Sequence, residues 1–348
     1  MNERELKIEE LLSRGVAEVI DRERLKERLL RGEELRIKLG IDPTSPNLHL
    51  GRAVSILKMR DFQELGCKLV LIVGDFTGQI GDTSDKESER PMLGRDLIEE
   101  NMRSYTEQLG KLIDLSKAEI HYNSTWLEKL GFDDICEQAD HFSVAEFIAR
   151  ENINKRLDEG KRVSLREMLY PLMQGYDSVA VNADVELGGT DQRFNLLAGR
   201  RLQEAHGQSA QDILMTNLIL GTDGRKMSSS WGNTINLLDT PNDMLGKVMS
   251  IPDELIVPYF IHCTRVVFAE IEVIEAKLGG ELHPRDAKLR LAKEIVTIYH
   301  GTEEAEKAGQ YFVETISEKK IPDTVGIYEI EGQVNLIDLL VADGLASS

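Results

Sequence analysis

The sequence His49-Leu50-Gly51-Arg52 sets an imidazole and a residue without a side chain at the start of an amphipathic helix expected to reach about Leu65. An apolar run, 37–41, precedes it and reads as a buried strand; the proline-rich turn 42–47 separates the two. Strand, turn and helix N-terminus aim backbone N–H groups and the positive end of a dipole at one place, which is the chemistry of phosphate binding. Gly51 lets a nucleotide lie against the backbone, and His49 can donate a hydrogen bond to an α-phosphate oxygen. The same residues also fit an ordinary crossover with a surface histidine.

Other stretches carry further chemistry. Tyr170, Gln174 and Asp177 fall at i, i+4 and i+7 of an otherwise apolar helix, so a phenol, an amide and a carboxylate share one face. That stripe suits a small zwitterionic or hydroxylated ligand, or else a satisfied structural network. Residues 184–192 run strand, Gly188-Gly189, then Asp191-Gln192 at the start of a helix expected over 190–205. Acidic groups there are also ordinary caps. Lys226 stands among hydroxyls in Lys226-Met227-Ser228-Ser229-Ser230, a loop able to close over a triphosphate and neutralise developing charge. In 75–90, Lys86 and Arg90 are four apart and would clamp phosphates on a helical turn, or simply sit in a solvated loop.

The elements that must position these groups are read from apolar spacing. Residues 4–31 have helical spacing and lead into the strand 37–41; the continuous run 68–74 is a second buried parallel strand, so the helix between makes a βαβ unit. Residues 95–160 read as inserted helices, 95–114, one near Trp126, and 133–150. A strand follows at 212–220, and Thr240-Pro241 opens a run of helices near 241–250, 253–262, 267–278, 284–300 and 303–317. With 348 residues, a large α/β core and a smaller appendage are expected.

A net charge of −19 argues against wholesale nucleic-acid binding but leaves room for a local basic face. No stretch reaches the roughly 18 apolar residues of a membrane helix, and the charged N-terminus has no apolar signal region, so a cytoplasmic protein is expected. Cys67, Cys136 and Cys263 lack disulfide or zinc spacing.

Taken together, these stretches resemble the class I aminoacyl-tRNA synthetases, and among them the bacterial tyrosyl enzymes, over roughly residues 5–345. His49 to Arg52 is similar to the family's HIGH signature and Lys226 to Ser230 to its KMSKS loop; the choice of tyrosine rests on 170–177 and 188–192. The resemblance implies an α/β, Rossmann-like parallel sheet in a catalytic domain, 1–235, with a helical insertion at about 95–160. An all-helical anticodon-side domain, 236–320, would follow, and 321–348 would be a linker and the shortened start of a C-terminal RNA-binding module, weakening the tRNA step. It implies ATP with Mg2+, tyrosine and tRNA(Tyr) as partners, and a homodimer around 115–185.

By the same resemblance Thr44 and His49 would contact ATP phosphates, and Gly51 would pack near the adenosine. Gly189, Met227 and Ser228 would also belong to the ATP site. Asp42 and Asp191 would hold the region between amino acid and ribose, and Gln192 would face the tyrosine carboxylate. Asp82, Tyr170 and Gln174 would hold the α-amino group, and Asp177 would accept the phenol hydroxyl. Lys86, Arg90 and Lys226 would steady pyrophosphate. Three positions depart from the family pattern: Arg52, Ser229, and Lys38, which stands where many relatives carry a tyrosine touching the substrate phenol. Another nucleotidyltransferase would need neither the Lys226 loop nor the Tyr170–Asp177 stripe. A non-enzymatic relative should have lost ATP-contacting residues, and a dinucleotide oxidoreductase should show Gly-x-Gly-x-x-Gly after the first strand.

Overall fold

The computed structural model describes residues 2–84 and 92–317, with positions 335, 337, 339 and 341 of the tail. The chain opens with α1 (Glu3–Ser13), β1 (Val16–Ile20), α2 (Arg22–Leu30), β2 (Arg36–Ile41), α3 (Leu50–Glu64), β3 (Lys68–Val73) and the turn-length α4 (Thr77–Ile80). From residue 92 onward come α5 (Arg95–Met102), α6 (Tyr105–Gly110), β4 (Ala118–Tyr122), α7 (Ser124–Leu127), α8 (Phe132–Asp140), α9 (Val144–Ile148) and α10 (Glu151–Asp158). Then follow α11 (Leu165–Val181), β5 (Val185–Gly189), α12 (Arg193–Ala205) and β6 (Asp212–Thr216). The remaining helices are α13 (Pro241–Met249), α14 (Ile256–Cys263), α15 (Phe268–Lys277), α16 (Pro284–His300) and α17 (Thr302–Phe312).

The six strands of the described residues form one sheet in the order β1-β6-β5-β2-β3-β4. All neighbours are parallel except β1 and β6. From β2 the chain moves outward one way through β3 and β4, then returns to the other side for β5 and β6. Strand order therefore reverses between β2 and β5, and a crevice opens at the carboxyl ends there, where open α/β sheets hold ligands. The central strands are buried on both faces, which is why they read as largely apolar runs, with Lys38 of β2 a buried charge within one of them.

Two expectations about secondary structure are corrected. Residues 16–20 were expected to be helical and form β1, antiparallel to β6. Gly15 and Asp21, at φ 63° and 59°, stop the helices on either side, and the β-branched Val16, Val19 and Ile20 complete the sheet edge. Residues 118–122 were expected within an inserted helical block and form the edge strand β4, parallel to β3. Polar Glu119 and His121 interrupt its pattern; Arg36 of β2 grips Glu119 at 2.8 Å.

Residues Met1–Gly309 make one compact unit, and Gln310–Ser348 are a second. Within the first, buried Arg14 at the end of α1 donates to the Val266 carbonyl at 2.7 Å, and Tyr259 of α14 donates to the Leu220 carbonyl at 2.6 Å. The Thr240 hydroxyl caps α13 by accepting from the Asp243 N–H, as its Thr-Pro start predicts. Most of the tail stretch 332–345 lies outside the described residues. No helix among the described residues is long and apolar enough to cross a membrane.

Helix α11 carries the Tyr170–Asp177 stripe and packs along α12. Ser164 and Glu167 close a capping box at its start, and Asn182, left-handed at φ 48°, ends it. Gly175 makes the contact with α12 possible: a Cβ there would lie 2.9 Å from Leu202 Cδ1 and 3.1 Å from the Ala198 carbonyl carbon. The Gly175→Ala variant should lose about 1–3 kcal/mol of stability through overpacking, read as a lower denaturant midpoint with an unchanged slope.

Candidate active site

Every strand but β1 ends at the crevice. Asp42 follows β2, Gly74 follows β3, Asn123 follows β4, and Gly189 and Thr216 close β5 and β6. Asp42, Thr44, His49, Gly51, Asp82, Tyr170, Gln174, Asp177, Gly189, Asp191, Gln192, Lys226, Met227 and Ser228 all line this single cleft. Lys86 and Arg90 lie outside the described residues.

At one end the groups suit a polar organic ligand. Asp42 accepts from Tyr170 Oη at 2.8 Å and from Thr77 Oγ1 at 2.7 Å. Burial pushes its carboxyl up to about 6, against these two hydrogen bonds. Asp82 accepts from Ser84 Oγ at 2.6 Å and from Gln192 Nε2 at 2.7 Å. Asp177, at the buried floor, accepts from Trp126 Nε1 at 2.8 Å and from Asn123 Nδ2 at 3.2 Å. Burial lifts its pKa from 3.8 to about 7, opposed by the Lys38 charge and by the Trp126 and Asn123 donors. A raised carboxyl pKa makes its contribution to stability greatest below pH 3.8 and lost as pH rises through about 7.

At the other end the groups suit an anion. His49 flanks the first turn of α3; burial, with Arg52 and Lys226 nearby, depresses its pKa to about 3, so at neutral pH it is an uncharged imidazole. Its Nδ1 is buried without a partner among the described residues. Gly51 gives its N–H to Met227 Sδ at 3.3 Å, and a Cβ on Gly51 would stand 3.0 Å from the His49 ring. Lys226 Nζ pairs with Asp191 Oδ2 at 3.0 Å. The Ser228 N–H donates to Asn233 Oδ1 at 2.9 Å, and Asn233 Nδ2 donates to Asp223 at 2.7 Å, so the 221–233 loop is folded on itself against the cleft.

The family model of class I tRNA synthetases (W and Y) matches residues 30–317. The chain is 46% identical to the tyrosine--tRNA ligase of Thermotoga maritima over 340 residues, 97% of this chain and 85% of that one. It is also 46% identical to the Carboxydothermus hydrogenoformans tyrosine--tRNA ligase, over 93% of this chain and 80% of the relative. The chain belongs to the class I tRNA synthetase family. Solved structures share the fold. A C-terminally truncated mitochondrial tyrosyl-tRNA synthetase of Aspergillus nidulans superposes with a TM-score of 0.71 at 21% identity, over 88% of this chain and 92% of that one. An Archaeoglobus fulgidus tyrosyl-tRNA synthetase complexed with L-tyrosine gives 0.67 at 24%, over 87% and 99%.

Several residues that line or support this synthetase's cleft escape sequence reading. Asn123 and Trp126 hold Asp177, yet they follow β4, the strand hidden by its polar residues. Thr77 holds Asp42, and buried Asn195, one helical turn after Gln192, donates to Gln174 and Gln192 at 3.1 Å each. An i, i+3 polar pair beside Gly188-Gly189 was the available signal for Asn195. Lys38 does not line the cleft: it is fully buried behind α11, 2.9 Å from Glu186.

Trp126→Phe removes one donor to the Asp177 carboxylate. The pKa of Asp177 should rise by about one unit, read as an upward shift in the acid limb of ligand affinity against pH.

Proposed function

We propose that the protein activates tyrosine with ATP, forming tyrosyl-adenylate and pyrophosphate, and then transfers tyrosine to the 3′ end of tRNA(Tyr). The observation that carries this reading is Asp177: a carboxylate at the cleft floor, held by two donors and offering its remaining lone pairs toward the cavity. A phenol hydroxyl satisfies it. Phenylalanine would leave it unpaired, and sites built to pair a substrate hydroxyl reject the deoxy analogue by roughly 10⁴–10⁵. Relatives named tyrosine--tRNA ligase at 46% identity support the same reading.

The tyrosine ammonium meets Asp82, Tyr170 and Gln174, and its carboxylate meets Gln192. That carboxylate is already an anion, so its attack on the α-phosphorus needs no general base. A P–O bond to the carboxylate forms as the bond to pyrophosphate breaks, and the oxyanions carry the growing charge. Catalysis is then positioning and charge stabilisation. Neutral His49 and Thr44 give hydrogen bonds to phosphate oxygens. Lys226 leaves Asp191 for the pyrophosphate, joined by Lys86 and Arg90 on sequence resemblance alone. Gly51, Gly189, Met227 and Ser228 line the nucleotide's path, with Asp42 and Asp191 at its junction with the amino acid. Magnesium enters with ATP on the phosphate oxygens; among the described residues no three His, Cys, Asp or Glu side chains converge on a cation site.

In this reading 1–235 is the catalytic part, with the inserted stretch at about 95–160, and 236–320 is the anticodon-side domain. A second copy of the chain covers the exposed Phe132, Val144 and Leu165 in or beside the insertion, which are 73–88% exposed. A cytoplasmic translation enzyme is the setting.

Amino-acid-dependent exchange of labelled pyrophosphate into ATP tests the reading. Tyrosine should support exchange, and phenylalanine should fall below it by roughly 10⁴ in kcat/KM; no exchange with tyrosine would refute it. Lys226→Ala should lower kcat about 10²–10³-fold with the KM for tyrosine little changed. The acid limb of kcat/KM for tyrosine should fall as pH drops through about 7, where Asp177 takes up its proton, and Asp177→Asn should abolish that limb.

A further inference from the structure

Behind the face of α11 that meets the cleft lies a buried pair outside the site described above. Lys38 of β2 and Glu186 of β5 are register partners on adjacent parallel strands, 0% and 1% exposed. Lys38 Nζ contacts Glu186 Oε1 at 2.9 Å, the Gln174 carbonyl at 2.9 Å and Ser178 Oγ at 2.8 Å. Its three protons are thereby committed. Glu186 Oε1 also accepts from Gln174 Nε2 at 3.1 Å, while Oε2 accepts from Ser178 Oγ at 3.1 Å and from Gln211 Nε2.

The chemistry of this arrangement is directional. An ionised carboxylate only accepts, so Gln174 must turn its Nε2 toward the sheet and its Oε1 the other way. There Oε1 accepts from the buried Asn195 Nδ2 at 3.1 Å, and Gln174 itself lines the cleft. We infer that the Lys38–Glu186 pair is a positioning device that presents Gln174 as a hydrogen-bond acceptor and so selects an amino acid by its ammonium group. The inference rests on the tyrosine-activation reading and adds two residues to it. Lys38 acts through Gln174 rather than by touching the phenol.

The pair also explains its own retention. Two buried charges contribute little net stability compared with apolar residues of similar volume, so an orienting role is a reason to keep them. Glu186→Gln should leave the orientation intact. Lys38, which only donates, would draw the new amide oxygen toward itself and Gln174, and the new N–H would meet Gln211 once that amide turns its Oε1, which lacks a partner among the described residues, toward it. The variant K38M/E186L, by contrast, removes the acceptor and frees the Gln174 amide to turn.

The test compares two ligands in pyrophosphate exchange: tyrosine as substrate, and 3-(4-hydroxyphenyl)propanoate, the same skeleton without the ammonium, as inhibitor. In K38M/E186L the KM for tyrosine should rise about tenfold, with kcat and the inhibition constant of the desamino acid each within about threefold of wild type. Glu186→Gln should match wild type. Equal losses for both ligands, or an unchanged KM for tyrosine, would overturn the inference. If K38M/E186L does not fold, K38M/E186Q, whose amide at 186 can turn either way, takes its place with the same two ligands and the same expected split. Failure of wild type to exchange with tyrosine would instead refute the parent reading, so the two failures are distinguishable.

Discussion

The cleft depends on keeping carboxylates usable where water is scarce. Asp177 sits at its floor with no cation in contact among the described residues, the Lys38 charge acting only from a distance, and burial alone would keep it protonated well above the ordinary range. Two neutral donors, Trp126 Nε1 and Asn123 Nδ2, reduce that penalty without taking all its lone pairs. Asp42 is treated in the same way by Thr77 and Tyr170. A lysine in direct contact would ionise either group more firmly, but it would also satisfy the carboxylate and remove its reason to select a ligand. Weak, directional partners leave the groups ionisable and still wanting a hydrogen bond.

The nucleotide end obeys a different constraint, close approach. Segment 48–50 pairs with 235–237: Leu50 donates to the Ile235 carbonyl and Leu237 to that of Leu48, each at 2.9 Å. This clamp brings the loop bearing Lys226 and Met227 onto the first turn of α3, where Gly51 leaves room for the His49 ring. The sequence separates these elements by about 175 residues; a few backbone hydrogen bonds place them together. The Lys226–Asp191 ion pair then holds the lysine at 3.0 Å from an anion that phosphate can replace.

Much of this was legible in the chain because burial and capping leave local marks. The runs 37–41 and 68–74 are mostly apolar since both sheet faces are covered, and the stripe Tyr170, Gln174, Asp177 shows at helical spacing because one face of α11 meets the cleft. Thr240-Pro241 announces a helix start by removing an N–H that has no partner there. These features depend on neighbours in sequence. The strands β1 and β4 left weaker marks: each lies at a sheet edge, where half-exposure allows polar residues and the alternation fades.

By itself the sequence determined the parallel α/β core, the ligand-bearing turns and the chemical types gathered on them, because periodicity, glycine placement and caps are local consequences of backbone geometry. Only the tertiary structure decided which side chains answer one another across the sheet. Asn123 and Trp126 reach Asp177 because β4 pairs with β3, and Lys38 meets Glu186 because β2 and β5 are in register. Those partnerships depend on strand order and register, which join residues more than fifty positions apart, and no local pattern records them.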